Sequence, residues 1–449
     1  MSAGKYQAYP KYTESNIAWL RKVPVHWSPL RFKHALFEKP KTSNSELDAG
    51  SISFGEVIYK NTETISAETK NSYQEVLPGE FLVNPLNLNF DLKSLRTALS
   101  SIAVVVSTGY IVLKSSDRLV KRYVRWLLQE FDVAHMKTLG SGVRQTINYT
   151  DIGNSFFYEP SPDEQTQIAK FLDYETAKID ALIAKQQQLI ALLQEKRQAV
   201  ISHAVTKGLN PAAPLRDSGV AWLGKVPAHW EEYPLKALFG LKHGYAFDST
   251  EFSDSGEFIL MTPGNFNECG GFRHKIPEKF YTGTDIPKDF ILKSGQLLVA
   301  MTEQGPGLLG CALFVPEQGT YLHNQRLGLV HKIGRDKVSV QYLFHLFNSS
   351  RYRAEVSVSS TGAKVQHTSP TKILSIKIWL PPLSEQELIA RFIDERIAKV
   401  DTLEVKAKQA VELLQERRIA LISAAVTGKI DVRGWQPPLA NAAGTHGSG

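Results

Sequence analysis

Two long stretches of this sequence decide the fold. Residues 163–208 read DEQTQIAKFLDYETAKIDALIAKQQQLIALLQEKRQAVISHAVTKG, and residues 384–429 read SEQELIARFIDERIAKVDTLEVKAKQAVELLQERRIALISAAVTGK. Apolar residues recur in both at alternating intervals of four and three, which is typical of a helix with one apolar stripe. At 1.5 Å per residue, about 40 residues form a helix roughly 60 Å long. The predicted stripes are Ile168, Leu172, Ile179, Leu182, Leu189, Leu193 and Val200 in the first stretch and Ile389, Ile393, Val400, Leu403, Ala407, Ala410, Leu414 and Leu421 in the second, with Gln186, Lys196 and Arg417 interrupting them.

Both helices need a partner that covers this stripe. Asp163 and Ser384 suit the N-cap positions, and Ser384 with Glu387 has the spacing of a capping box. A helix of this length cannot bury its stripe alone, so the sequence favours pairing the two helices as an antiparallel coiled coil. The alternative is that each helix folds back on its own domain.

A shorter repeat precedes each half of the chain. Residues 15–27 read SNIAWLRKVPVHW and residues 218–230 read SGVAWLGKVPAHW, and we call these segments the Trp motifs. We expect Trp19, Trp27, Trp222 and Trp230 to pack where each domain meets the helices. The weaker alternative is that part of their surface is exposed and binds a partner. His26 and His229 are interpreted as structural.

The blocks between the repeats are weakly related. VLPGEFLVNPL at 76–86 aligns with LKSGQLLVAMT at 292–302, and GSGVRQTINYTDI at 140–152 aligns with TGAKVQHTSPTKI at 361–373. Short β-rich runs dominate both blocks, and each block has one amphipathic helix near its end, KRYVRWLLQEF and QYLFHLFNSSRYR. We therefore predict two α+β domains.

Composition narrows the class of protein. The 449 residues carry a net charge of +7, so a polyanionic partner is plausible. No apolar run is long enough to span a bilayer, and the first residues lack the apolar core of a signal peptide, which predicts a cytoplasmic protein. Only Cys269 and Cys311 are present, which excludes a disulfide framework and a cysteine-based zinc site, and no other metal motif occurs.

At this point the sequence resembles the specificity subunits of type I restriction–modification systems. The resemblance rests on YPKYTESNIAWLRKVPVHW (9–27), PLRDSGVAWLGKVPAHW (214–230), LPPLSEQELIARFID (380–394) and LLQERRIALISAAVTGKID (413–431), and it covers almost the whole chain except the tail. It implies an α+β fold with a pseudo-twofold internal repeat, in which two long antiparallel coiled-coil helices separate two globular target-recognition domains. The expected limits are 1–160 for the first domain, 161–207 for the first spacer helix, 208–381 for the linker and second domain, 382–428 for the second spacer helix and 429–449 for the tail.

The resemblance also implies partners and a role. The chain would recognise a bipartite, asymmetric target in double-stranded DNA and would dock two modification (methyltransferase) subunits, which the motor–nuclease restriction subunits then join. It would have no catalytic centre and no cofactor of its own. S-adenosylmethionine would belong to the modification partner, and ATP and magnesium to the restriction partner.

Candidate DNA-binding residues come from polar loops of the two blocks. A carboxamide can pair with the edge of adenine, and arginine or lysine with guanine or phosphate. For each candidate an ordinary turn or solvated surface is the alternative. The candidates are Asn84, Asn87, Asn89, Lys93, Arg96, Arg144 and Gln145 in the first block and Thr302, Glu303, Gln304, Asn324, Gln325, Arg326, Lys364, Gln366 and His367 in the second.

Two motifs are rejected as catalytic. Residues 305–310 match the dinucleotide-binding glycine pattern, but the strand-like CALFV follows where that pattern needs a helix. Residues 84–87 only faintly resemble the Asn-Pro-Pro-aromatic motif of adenine methyltransferases. The rival functions, a catalytic DNA methyltransferase and a coiled-coil adaptor without DNA function, are therefore disfavoured.

Overall fold

The computed structural model describes residues 6–53, 55–60, 65–86, 95–139, 146–303, 307–362 and 365–438. The chain divides into two compact units, which we call unit 1 (1–185 and 410–449) and unit 2 (186–409). Its helices are α1 (Ala67–Asn71), α2 (Lys121–Ala134), α3 (Tyr149–Asn154), α4 (Pro162–Lys207), α5 (Val340–Phe347), α6 (Ser350–Val358), α7 (Pro370–Leu374) and α8 (Leu383–Val426). The chain passes from one unit to the other twice, and both passages lie inside helices, one in α4 and one in α8.

Unit 1 is built on a six-stranded mixed sheet in the order β4-β11-β8-β9-β6-β5. In β8, Phe81 and Val83 join the core beneath α2, whereas Leu82 joins the smaller core on the opposite face. This alternation follows from the two-residue period of a strand. The strands of unit 1 are β1 (Tyr12–Ile17), β2 (Leu20–Pro24), β3 (Ser28–Arg31), β4 (Leu36–Glu38), β5 (Gly50–Ser53), β6 (Glu56–Tyr59), β7 (Gln74–Val76), β8 (Phe81–Val83), β9 (Thr97–Leu99), β10 (Val104–Val106), β11 (Ile111–Ser115) and β12 (Phe156–Glu159).

Unit 2 contains two four-stranded sheets, ordered β16-β24-β20-β22 and β17-β19-β18-β23. In β20, Leu297 and Val299 face one core while Leu298 and Ala300 face another, so this strand is covered on both sides. The strands of unit 2 are β13 (Leu215–Asp217), β14 (Lys225–Pro227), β15 (Glu231–Pro234), β16 (Gly240–His243), β17 (Phe252–Ser253), β18 (Phe258–Met261), β19 (Phe280–Tyr281), β20 (Leu297–Ala300), β21 (Thr302–Glu303), β22 (Ala312–Phe314), β23 (Thr320–His323), β24 (Leu327–His331), β25 (Gln366–His367) and β26 (Lys377–Leu380).

Each unit connects its Trp motif to the start of a long helix in the same way. In unit 1, β3 follows the Trp motif and pairs antiparallel with β12, which leads into α4. In unit 2, β15 follows the Trp motif and pairs antiparallel with β26, which leads into α8. The two-stranded pairing therefore sets the first turn of each long helix beside a Trp motif.

The first-turn contacts explain the repeated histidine. His26 Nε2 lies 3.0 Å from Glu164 Oε2 in α4, and His229 Nε2 lies 2.7 Å from Glu385 Oε2 in α8. A carboxylate in the first turn also interacts favourably with the helix dipole. The structure thus supports the structural interpretation of both histidines. It also buries the following tryptophans, Trp27 and Trp230.

The two long helices are confirmed, and each begins one residue before its predicted N-cap. α4 begins at Pro162 and α8 at Leu383, so Asp163 and Ser384 lie inside the first turn rather than at the cap. For α4 the cap is Ser161, whose hydroxyl accepts a hydrogen bond from the Glu164 N–H. Proline suits the first helical position because its missing N–H would have no partner there. Within the described residues, no helix is both long and apolar enough to cross a membrane.

In unit 1, the first half of α4 packs against the second half of α8. Ile168 and Leu172 share one core with Ile422 and Val426. Farther along, the Arg418 guanidinium donates to both oxygens of the Asp180 carboxylate, at 2.8 and 3.3 Å. The beginning of one helix meets the end of the other, so the pairing in this unit is antiparallel.

In unit 2, the second half of α4 packs against the first half of α8. Ile201 and Val205 share a core with Ile389 and Ile393. Arg197 forms an ion pair with Asp401, and the Gln194 amide donates to Glu404 Oε1 at 3.2 Å. Between these two contacts the residue number falls by three in α4, from 197 to 194, and rises by three in α8, from 401 to 404. This pairing is also antiparallel.

Part of the predicted apolar stripe faces solvent. Leu182 and Leu189 are 46% and 41% exposed, and Leu403 is 50% exposed, so their assignment to the buried seam was wrong. The neighbouring residues Ile183, Ile190 and Glu404 are the half-buried ones. A helix with 3.6 residues per turn drifts against a strict seven-residue repeat, which moves the buried stripe by one residue in the middle of each helix.

The predicted helix at 341–353 is interrupted. Residues 340–347 form α5 and residues 350–358 form α6, because the Ser349 hydroxyl accepts from the Tyr352 N–H and starts a new helix. Asn348 occupies the break. Its side-chain Oδ1 accepts from the Ala312 N–H at 2.9 Å, and its Nδ2 donates to the Ala312 carbonyl at 3.1 Å. The helix predicted at 121–131 is confirmed as part of α2.

Adjacent residues of α8 give a direct test of its buried face. Ile389 is fully buried in the core shared with α4, whereas the neighbouring Leu388 is 52% exposed. We expect Ile389→Ala to lower the free energy of unfolding by about 2–5 kcal/mol because it leaves a cavity. Leu388→Ala should change it by less than about 0.5 kcal/mol. Denaturant unfolding followed by tryptophan fluorescence measures both values, and equal losses would contradict the assigned face.

Candidate nucleic-acid interface

Strand pairing brings two predicted loop segments of unit 2 together. β21 pairs antiparallel with β25, with Thr302 opposite His367 and Glu303 opposite Gln366. Thr302 Oγ1 lies 3.1 Å from His367 Nδ1. The imidazole is exposed and the threonine is buried, so His367 is the member of this pair that can reach a ligand.

Glu303 points into the protein. Its side chain is buried, and its Oε2 accepts hydrogen bonds from the N–H groups of Gly307, Leu308 and Leu309 at 3.0, 2.7 and 2.7 Å. Hydrogen bonds to a charged acceptor are stronger than neutral ones, so this carboxylate fixes the backbone of residues 307–309. The geometry gives Glu303 an organising role within the domain.

Gln366 is also held by its own domain. Its Oε1 accepts from the hydroxyls of Ser357 and Ser360, both at 3.2 Å. The side chain is half-buried between these contacts. Its amide oxygen is therefore engaged at the end of α6, next to the exposed His367.

The turn between β23 and β24 presents two of its three candidates to solvent. Asn324 is buried, and its Oδ1 accepts from the Arg326 N–H at 3.0 Å, which closes the turn. Gln325 and Arg326 are exposed. The Arg326 carbonyl accepts from the Met301 N–H at 3.0 Å, so this turn lies directly beside β21.

Three cations that group with Arg326 of this turn, namely Arg273, Lys275 and Lys279, were missed by the sequence analysis. Lys275 is half-buried, and its pKa is lowered by burial and by the nearby positive charges of Lys279, Arg326 and Arg273. We call these four residues the basic cluster. Positive charges grouped on one surface favour the binding of a polyanion. The sequence feature that could have revealed them is the density of basic residues in FRHKIPEK at 272–279.

The described candidates of unit 1 form hydrogen bonds within their own unit. Asn84 Oδ1 accepts from the Leu86 N–H at 3.1 Å. Arg96 is buried, donates from Nη1 to the Leu86 carbonyl at 2.9 Å, and has its Nε 3.9 Å from Asp132 Oδ1. Burial raises the pKa of the Asp132 carboxyl to about 6, although the backbone N–H and the charge of Arg96 oppose the shift. Both candidates are thus engaged with the backbone of Leu86 in their own unit.

Several candidates cannot be placed. They lie outside the described residues, so their DNA-binding role stays a prediction. These are Asn87, Asn89, Lys93, Arg144, Gln145, Gln304 and Lys364.

Comparison with known proteins finds one matching family model and several similar proteins. A family model described as type I restriction modification DNA specificity domain matches residues 227–413. The type I restriction enzyme MjaVIII specificity subunit of Methanocaldococcus jannaschii is 24% identical over 446 residues, covering 94% of this chain and 97% of that protein. The StySPI specificity subunit of Salmonella potsdam is 34% identical over 225 residues, covering 46% of this chain and 44% of that protein.

A solved structure shares the fold. It comes from work on complex assembly and conformational transition of the type I R-M system, and it matches with a TM-score of 0.64 at 13% identity, over 91% of this chain and 99% of that chain. The predicted α+β fold with two units and two long helices is confirmed, whereas the pseudo-twofold relation between the halves stays a prediction. The chain is similar to type I restriction–modification specificity subunits along almost its whole length, and the matched domain model indicates a role in DNA sequence specificity.

The contacts of Glu303 lead to a prediction about the neighbouring backbone. Glu303→Ala removes the acceptor of three N–H groups, so we expect the amides of Gly307, Leu308 and Leu309 to exchange with solvent at least about tenfold faster. Glu303→Gln keeps one side-chain oxygen, so its amide exchange rates should lie between those of the unaltered chain and those of Glu303→Ala. Hydrogen exchange with mass spectrometry measures this. Glu317→Ala, at an exposed position of the same unit, is the control. Unchanged exchange in Glu303→Ala would refute the organising role.

Proposed function

We propose that this chain recognises a bipartite, asymmetric DNA target, with unit 1 and unit 2 each reading one half-site. The observation that carries this proposal is the basic cluster beside the β21–β25 pair in unit 2. Cations of this kind neutralise phosphates, while exposed polar side chains such as Gln325 and His367 are of the type that reads base edges. Phosphate contacts position a protein on DNA, and base contacts select the sequence.

Asymmetry of the target follows from the difference between the units. Both units connect a Trp motif to a long helix in the same way, but their sheets differ in strand number and order. The loops that these sheets carry also differ in sequence. Two unlike recognition surfaces select two unlike half-sites, which gives a target without twofold symmetry.

The proposed partners supply the chemistry. Two modification subunits dock on the chain and methylate adenine with S-adenosylmethionine. Restriction subunits, which use ATP and magnesium, join them. The chain itself is a recognition subunit without catalytic activity. The support is the similarity to specificity subunits along almost the whole chain, together with the inward, structural role of Glu303, which binds the backbone N–H groups of Gly307, Leu308 and Leu309.

Methylome sequencing tests this function directly. Cells that express the chain together with its modification subunits should methylate adenine within one sequence motif composed of two different half-sites separated by unspecified base pairs. Methylation of a symmetric or contiguous motif would contradict the proposal. Absence of any motif would favour an adaptor without DNA function.

The matched control is the chain by itself. Incubated with S-adenosylmethionine and DNA that contains the identified motif, the purified chain should transfer no methyl groups, whereas the complex with modification subunits should transfer them. Robust transfer by the chain alone would identify it as a catalytic methyltransferase and would contradict the proposed role.

A further inference from the structure

An isoleucine stands almost completely in solvent within the segment that carries most of the basic cluster. Ile276 is 92% exposed, the highest value among the large apolar side chains of the described residues. It lies between Lys275 and Lys279 in the sequence RHKIPEK at 273–279. A single exposed apolar residue is ordinary by itself. Ile276 requires an explanation because it lies among cations.

The segment is anchored at its beginning. The Arg273 N–H donates to the Asn265 carbonyl at 2.8 Å. The Arg273 guanidinium donates to the Gly264 carbonyl from Nη2 at 3.1 Å and from Nε at 3.4 Å. The Lys275 side chain also lies close to Gly264. These contacts fix the backbone up to the residue that precedes Ile276.

The segment is anchored at its end as well. His274 Nδ1 lies 3.2 Å from Glu278 Oε1, which joins the two sides of the loop. The Lys279 carbonyl accepts from the Leu260 N–H at 2.8 Å, which ties the loop to β18. Ile276 is therefore carried by a loop whose two ends are both held. Less conformational entropy is lost when such a loop binds a ligand.

The same loop faces the candidate interface of unit 2. β18 and β23 pair in parallel with Met261 opposite His323, so the residues that follow the two strands leave the sheet at the same edge. Those after β18 include Gly264, which Arg273 and Lys275 contact, and those after β23 include Arg326, whose positive charge acts on Lys275. The Arg326 carbonyl in turn accepts from the N–H of Met301, which directly precedes β21. The exposed isoleucine, the basic cluster and the β21–β25 pair therefore belong to one region of the unit.

We propose that Ile276 makes an apolar contact with the bases of the half-site read by unit 2, while the cations beside it bind the flanking phosphates. This inference rests on the proposed function. The sugar–phosphate backbone is charged and polar, so an isoleucine held between phosphate-binding cations loses its contact with water only by entering a groove. There it meets either the methyl group of thymine or the faces of a partly unstacked base step.

The first test compares binding to two duplexes. The assay uses the complex of the full chain with its modification subunits, and the duplex carries the motif found by methylome sequencing. Ile276→Ala should weaken binding about 10- to 100-fold, as expected for an isoleucine that is buried on binding. The loss should disappear when one particular half-site is scrambled and should persist when the other is scrambled. Ile276→Leu should retain most of the affinity.

Two variants of the same unit serve as controls. Leu215→Ala, which also removes an exposed apolar side chain, should bind like the unaltered complex. Lys279→Ala removes a cation of the basic cluster, so it should weaken binding to all duplexes and reduce the slope of log affinity against log salt by about one. The contrast between Lys279 and Ile276 separates a phosphate contact from a base contact.

Two modified duplexes identify the apolar surface. If Ile276 contacts a thymine methyl group, replacing that thymine by uracil should weaken the unaltered complex and leave Ile276→Ala unchanged. If Ile276 enters a base step, 2-aminopurine at that step should fluoresce more strongly with the unaltered complex than with Ile276→Ala. Either result supports the proposal and shows which contact is made.

The result that would overturn the proposal is Ile276→Ala binding the target like the unaltered complex, or weakening all duplexes equally. In both cases the unaltered complex still selects its target, so the proposed function stands and only the role of Ile276 fails. If the unaltered complex selects no sequence, the proposed function itself fails.

Discussion

The apolar contact between α4 and α8 is the constraint on which both units depend. Each helix has a stripe of aliphatic side chains, and each unit covers its share of both stripes by pairing the start of one helix with the end of the other. Ile168 meets Ile422 in one core, and Ile201 meets Ile389 in another. Because both passages of the chain between the units lie inside these helices, neither unit can complete its core without both helices.

The long helices could be predicted from the sequence because the four–three spacing extends over many turns. The exact buried face could not. Leucine and isoleucine occupy two adjacent stripes near residues 182–190, and only the position of the partner helix decides that Ile183 and Ile190 turn inward while Leu182 and Leu189 stay exposed. The surroundings of the break at Asn348 were equally hidden, because its side chain is held by hydrogen bonds to Ala312, which is distant in sequence.

For the candidate site, the sequence identified the right segments of unit 2 but not the direction of their side chains. Glu303 and Asn324 turn inward because free backbone N–H groups nearby need acceptors. The pairing of Thr302 with His367 joins residues 65 positions apart, which no local pattern reveals. The sequence shows three members of the basic cluster within the segment 273–279, but their proximity to Arg326, about 50 residues later, becomes visible only in the fold.

Chemical cross-linking of the two helices tests the antiparallel pairing most directly. In a chain with Cys269→Ser, where the remaining Cys311 is buried, the pair Asp180→Cys with Arg418→Cys should react efficiently with a short bismaleimide, because these positions are in contact. The pair Asp180→Cys with Asp401→Cys is the control, since these positions lie equally far from the starts of α4 and α8 and would face each other only in a parallel pair. The antiparallel account predicts cross-linking of 180 with 418 alone. Cross-linking of 180 with 401 in its place would contradict it.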